Sequence, residues 1–151
     1  MRVKITRILS PEELLRMEKR LESKYGVAFE KLVDQQAKKK RDVIYSKWAA
    51  LHYAYKAYEE EGELNFTFDE YTHIPISKLM KLFTDKKVRI IREVARGVES
   101  ISDLARRVRR DVSNVYRDLK VLEEHKIVRL EKAGKRIIPR LAVEKLTIEF
   151  I

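Results

Sequence analysis

Two amphipathic helices joined by a three-residue turn are the sequence feature that most constrains this fold. Residues 100–108 predict a brief extended entry, a cap at Ser102 and a two-turn helix, and residues 111–124 predict a second helix. Residues 109–111 can form a tight turn in which Asp111 caps the second helix. The residues expected to face the core are Leu104, Ala105 and Val108 in the first helix, and Val112, Val115, Leu119 and Leu122 in the second. This pattern predicts a helix-turn-helix unit.

A β-hairpin is predicted directly after the second helix, over residues 127–140. Residues 127–131 and 136–140 are rich in strand-forming side chains, and Gly134 lies in the connection between them. A hairpin in this position is a wing. Its tip would hold a basic cluster suited to phosphate groups, made of Lys132, Lys135 and Arg136.

The region before this unit is predicted to be helical, with short strands near both ends of the chain. Residues 3–8 and 146–150 alternate apolar and polar side chains, so the two segments are candidate partners in one sheet, within one chain or between two chains. A helix is expected to begin at Ser10-Pro11 and to end at Gly26. We therefore expect a mainly α fold of the α+β class: a winged helix-turn-helix domain with an N-terminal helical region and short terminal strands.

The charge distribution separates two expected domains. The chain has a net charge of +10, to which residues 1–83 contribute 16 basic and 13 acidic side chains and residues 84–151 contribute 18 and 11. A positive surface attracts polyanions such as nucleic acids. We expect an N-terminal dimerisation or sensor region over residues 1–83 and a DNA-binding domain over residues 84–151.

An apolar stripe at spacings of four and three residues is expected on a helix within residues 27–61, which we expect to break near the basic run at 38–41. Such a stripe is typical of a homodimer seam, but it could equally pack against other helices of the same chain. The stripe consists of Ile44, Trp48, Leu51, Tyr55 and Tyr58.

Residues 83–150 resemble the archaeal winged-helix DNA-binding proteins grouped as MarR-like regulators. The resemblance rests on residues 99–107, on residues 111–119 and on Leu122-Glu123-Glu124. It implies that the second helix binds DNA, with three residues facing the bases: Ser113, Asn114 and Arg117. Such families usually have a glycine where Lys126 stands here, so Lys126 must adopt a left-handed conformation or the helix must end differently.

These features predict a cytoplasmic, sequence-specific regulator of transcription, acting on double-stranded DNA as a dimeric repressor. Helix 111–124 would read the major groove, where Asn suits adenine and Arg suits guanine, and wing 127–140 would contact the backbone. The residues expected to contact the backbone, some of which could instead be solvated surface or core, are Arg106, Arg107, Arg109, Arg110, Tyr116, Lys120, Lys132, Lys135 and Arg136.

Two other functions fit the same pattern. An archaeal chromatin protein could use the wing and a dimer to bind DNA with little sequence preference. Residues 24–29 and Trp48 also resemble a segment of archaeal antitoxin-type proteins, which implies a protein partner encoded by an adjacent gene.

Sequence motifs for catalysis, metal binding and membrane insertion are missing. The chain has no cysteine, and its three histidines are isolated from one another. Its four glycines lie too far apart for a phosphate-cradling loop, and its apolar runs are too short for a membrane span. We therefore expect no enzyme activity, no cofactor and no metal.

Overall fold

The protein combines helices with small antiparallel sheets, as the α+β expectation requires. The computed structural model describes residues 2–31, 43–64 and 66–151. Its strands are β1 (Arg2–Ile8), β2 (Thr67–Thr72), β3 (Val128–Ala133), β4 (Arg136–Leu141) and β5 (Val143–Glu149). Its helices are α1 (Pro11–Tyr25), α2 (Val43–Glu61), α3 (Ile76–Leu82), α4 (Asp85–Arg96), α5 (Ile101–Val108) and α6 (Val112–Glu124). None of these helices is long and apolar enough to cross a membrane.

The chain forms two compact units whose boundaries differ from those expected at residues 83 and 84. One unit is Leu9–Thr67, and the other combines Met1–Ile8 with Phe68–Ile151. The boundaries differ because β1 pairs with β5, so the first residues of the chain belong to the unit that contains the C-terminal helices.

Helix α1 begins and ends in the unit Leu9–Thr67 as its sequence predicts. The Ser10 hydroxyl accepts a hydrogen bond from the Glu13 amide at 3.3 Å, and Pro11 occupies the first helical position. Gly26 ends the helix with a left-handed φ of 68°. Leu14 is fully buried where α1 packs against α2. The break expected near residues 38–41 lies outside the described residues.

Part of the stripe on α2 is buried inside this chain. Trp48 and Leu51 are almost completely buried, and Phe29 packs against Trp48 with ring centroids 5.7 Å apart. Tyr55 and Tyr58 are half-buried and contact each other. Intrachain packing therefore accounts for Trp48 and Leu51, while the side chain of Ile44 lies outside the described part of the structure. The homodimer stays a prediction.

A histidine that is isolated in sequence has carboxylate neighbours in the fold. The His52 ring contacts the buried carboxylate of Glu18, and its Nε2 lies 3.5 Å from Oε1 of the exposed Glu30. Phe29 packs on the same ring at a centroid distance of 4.3 Å. His52 is thus a partnered core residue, and no group of three or more His, Asp or Glu side chains in the described ranges is arranged to hold a metal ion.

The strands expected near the two ends of the chain pair within one molecule. The three-stranded sheet has the order β2-β1-β5, and β1 and β5 are antiparallel, with Val3 opposite Ile148 and Ile5 opposite Leu146. Val3 and Ile5 are buried against Leu79 of α3. The alternation correctly predicted the buried face of β1. In the C-terminal segment it did not, because among its apolar residues only Leu146 is half-buried while Ile148 and Phe150 are exposed.

Two sequence predictions for residues 64–77 differ from the structure. Leu64, Phe66 and Phe68 alternate with polar residues and predict a strand from Leu64 to Asp69, but the strand is observed at Thr67–Thr72, where Asp69 contacts both Thr6 and Lys4 of β1. The sequence also predicts Ser77 as a helix cap, but α3 already begins at Ile76, directly after Pro75. Proline fixes φ at a value suited to a helix start, so the helix needs no serine there.

Helices α4, α5 and α6 enclose the main core. Thr84 caps α4, and Ser100, rather than Ser102, caps α5 through a hydrogen bond of 3.0 Å from the Asp103 amide. The sequence pattern of α4 predicts Val88, Ile91, Val94 and Ala95 as inward-facing residues. Ala95 is exposed instead, and Ile90, which that prediction omits, is buried. The core consists of Ile90, Val94, Val98, Ile101, Leu104, Ala105, Val108, Val115, Leu119, Leu122, Ile127 and Val128.

Candidate nucleic-acid interface

The turn between α5 and α6 is closed by backbone hydrogen bonds and one ion pair. Arg109 ends α5 in a left-handed conformation with φ of 55°, and the Arg110 amide donates to the Ala105 carbonyl at 3.0 Å. The Arg110 guanidinium donates to Asp118 of α6 at 2.8 Å. Asp111 precedes α6 in an extended conformation, but its side chain makes no capping hydrogen bond. The turn therefore fixes where α6 begins relative to α5.

Helix α6 presents a polar face opposite its buried one. Val115, Leu119 and Leu122 are completely buried, and the exposed surface of the helix is mostly polar apart from Val112 and Tyr116. The three predicted base-facing residues, Ser113, Asn114 and Arg117, are all exposed. Arg117 forms no ion pair with any described residue, so its guanidinium is available to a ligand.

Val112 was expected in the core and is exposed instead, as is Tyr116 one turn later. Their exposed fractions are 47% and 42%. Val112 is the first residue of α6 and lies at the end of the helix, before the buried stripe begins at Val115. Tyr116 is therefore not a core residue, which was one of its two predicted roles. The Lys120 ammonium lies 5.9 Å from the centre of its ring.

Several basic residues predicted to contact phosphate are held by carboxylates of the same chain. The Arg106 and Arg107 guanidinium groups lie 2.6 and 3.1 Å from the Asp103 carboxylate, and Arg107 also donates to the Gly97 carbonyl at 2.9 Å. Lys120 forms an ion pair with Glu123 at 2.7 Å, which raises the pKa of the lysine. These basic residues have structural roles that the sequence pattern does not reveal.

Asp103 is the centre of this network. Its carboxylate is buried and accepts a hydrogen bond of 3.0 Å from the Glu99 amide. That hydrogen bond, followed by the interactions with Arg106 and Arg107, lowers the pKa of Asp103 below its usual value. Asp103 therefore stays ionised at neutral pH and joins the start of α5 to its end.

The hairpin carries its basic residues as predicted. Strands β3 and β4 are antiparallel with Ala133 opposite Arg136, and Gly134 takes a left-handed φ of 64° in the two-residue turn. The residues at the tip are exposed and form no ion pair with another described residue; they are Lys132, Lys135 and Arg136.

Lys126 resolves the question posed by the missing glycine, because it adopts the left-handed conformation with φ of 58°. Its carbonyl accepts a hydrogen bond of 2.8 Å from the Arg7 guanidinium. The end of α6 is thus bonded to the terminal sheet.

A concave depression lies beside the start of α6. Its volume is about 510 Å³. The residues that line it are Lys86, Ala105, Arg106, Arg109, Arg110, Asp111 and Asn114. Lys86 was not among the residues predicted from the sequence to contact DNA. It lies in the first turn of α4, one residue after Asp85. Which side of α4 faces the turn between α5 and α6 depends on tertiary packing and is not encoded in local spacing.

Comparison with known families found a similarity over a stretch that is less than half of the chain. The model of the family HVO_A0114 matches residues 82–148, a stretch that contains α4, α5, α6 and the hairpin. Comparison with curated proteins gave no match.

Proposed function

We propose that this protein is a winged-helix regulator of transcription that binds double-stranded DNA. The observation that carries the proposal is the exposed polar face of α6, with Arg117 free of ion pairs within the described chain, followed by a hairpin with an unpaired basic tip. The proposed protein is a MarR-like, cytoplasmic homodimer without enzyme activity, and it uses no cofactor.

In this proposal α6 enters the major groove and the hairpin follows the backbone. Arg117 and Ser113 lie one turn apart on the same side of α6, so both can reach base edges when Val115 and Leu119 face the core. An arginine that reads guanine does so through two parallel hydrogen bonds. Lys135 and Arg136 at the hairpin tip supply charge to phosphate groups and carry no sequence information.

The test compares Arg117→Ala with Lys135→Ala on two duplexes, one selected from random DNA by the unaltered protein and one of unselected sequence. Arg117→Ala should cost about 1 to 3 kcal/mol on the selected duplex and much less on the other, because it removes a base contact. Lys135→Ala should weaken both complexes alike and reduce the slope of log K against log salt by about one unit. A salt titration of both variants measures these quantities.

Equal losses for Arg117→Ala on the two duplexes would contradict sequence reading by α6. That result would favour the architectural alternative, in which the protein binds DNA with little sequence preference. A regulator is expected to prefer its own site over random DNA by a factor of about 10³ or more.

A further inference from the structure

Four cations from α4, α5 and the following turn surround the depression beside α6, but two of them already have partners. Arg106 is paired with Asp103 at 2.6 Å, and Arg110 is paired with Asp118 at 2.8 Å. Lys86 and Arg109 also line the depression and form no ion pair with any other described residue. These two side chains are therefore the ones available to an anion.

The depression has a positive charge. Asp111 is the one acidic residue in its lining, and its carboxylate offsets one of the two remaining cations. Arg110 is paired with Asp118, whereas Arg106 shares the Asp103 carboxylate with Arg107. The depression therefore suits an anionic group, and a phosphodiester group of DNA is one.

The left-handed backbone of Arg109 is a helix-end conformation. Its φ of 55° ends α5, and Lys126 has a similar φ of 58° just after α6. The two residues differ in position, because the Arg109 side chain lines the depression. Arginine at this position puts a cation at the depression, and glycine would not.

The position of Asn114 adds a neutral hydrogen-bonding group to the same site. Ser113 and Arg117 lie along one line of the helix surface, while Asn114 is rotated by about 100° from Ser113 around the axis. Asn114 lines the depression together with Arg109 and Lys86. Its amide is therefore placed beside the two free cations.

We propose that this depression is the binding site for one backbone phosphate of DNA, held by Lys86, Arg109 and the side-chain amide of Asn114. The inference rests on the proposed function and refines it, because it assigns Asn114 to the backbone. Base reading then falls to Ser113 and Arg117. The phosphate would lie at the edge of the major groove, beside the first turn of α6.

The experiment compares Arg109→Gly with Lys126→Gly, which is a closely matched control. Both positions have a left-handed backbone, with φ of 55° and 58°, and both substitutions remove one positive charge. Thermal stability should therefore respond similarly in the two variants. Arg109→Gly should lower affinity for the selected and the unselected duplex by the same factor, about tenfold, and reduce the salt slope by about one unit. Lys126→Gly should leave affinity nearly unchanged.

Lys86→Ala and Asn114→Ala complete the test. Both variants should lose affinity equally on the two duplexes, and Lys86→Ala combined with Arg109→Gly should lose less than the two single effects together, because both residues hold the same phosphate. Replacement of that phosphate by an uncharged methylphosphonate should remove the effect of Arg109→Gly.

Two results would overturn the inference while the proposed function stands. One is a loss for Asn114→Ala confined to the selected duplex, which would make Asn114 a base-reading residue. The other is an affinity of Arg109→Gly equal to that of Lys126→Gly, while Arg117→Ala still loses affinity mainly on the selected duplex. If the unaltered protein selects no duplex from random DNA and does not bind the unselected one, the proposed function fails and the phosphate site fails with it.

Discussion

Replacing Ile5 by alanine tests whether the terminal sheet is part of the core of its unit. Ile5 is 4% exposed, lies opposite Leu146 of β5 and packs with Val3 and Leu79. The substitution removes three carbon atoms, which is about 2.4 kcal/mol of lost burial at roughly 0.8 kcal/mol each. A residual cavity adds to this, so the free energy of unfolding should fall by about 3 to 4 kcal/mol.

Urea denaturation followed by circular dichroism measures this loss, and thermal denaturation should show a melting temperature lower by about 6 to 16 °C. Lys4→Ala is the control, because Lys4 is the preceding residue of β1 and its side chain pairs with Asp69 at the solvent-accessible surface. That variant should melt close to the unaltered protein. A cost below about 1 kcal/mol for Ile5→Ala would refute the assignment of Ile5 to a packed interior.

Two further predictions concern the acid stability of the fold and the pairing of its terminal strands. Because the pKa of Asp103 is lowered in the folded state, its stabilising effect is present above the ordinary value of about 4 and is lost as the pH falls through the folded value. Asp103→Asn should therefore lower the melting temperature at pH 7 and flatten its decline towards pH 2; parallel curves for the two proteins would contradict this role. Deletion of residues 145–151 removes most of the partners of β1 and should destabilise the protein, whereas unchanged melting would show that the pairing contributes little.

Local signals in the sequence predicted several helix starts, although two other predicted caps, Ser77 and Asp111, form no capping hydrogen bond. Ser10, Thr84 and Ser100 each accept a hydrogen bond from an amide three residues later, which is a property of a few consecutive residues. The hairpin is equally local, because Gly134 supplies the left-handed residue that a two-residue turn needs. The residues that determine each of these features lie within the feature itself, so a short stretch of sequence is enough to predict it.

Features that depend on tertiary packing were not predicted. Val112 fits the apolar stripe by spacing, yet nothing covers it enough to bury it at the start of α6. The pairing of Arg110 with Asp118 and the contact of His52 with Glu18 join residues that local patterns treat separately. Lys86 reaches the candidate site for the same reason. Charge counts located the basic region but could not show which cations were already neutralised.

The pairing of β1 with β5 has a consequence for the order in which the protein folds. Arg2 and Glu149 form an ion pair across 147 residues of sequence, whereas α1 and α2 contact each other within the unit Leu9–Thr67. During synthesis β1 emerges long before β5, so its apolar residues have no partner strand until β5 is made. The unit Leu9–Thr67 can form its own contacts before then. Pairings between distant residues form slowly, and an unpaired strand exposes its edge in the meantime. Completion of the sheet should therefore be the late step of folding, and the period before it is when this chain is most prone to aggregate.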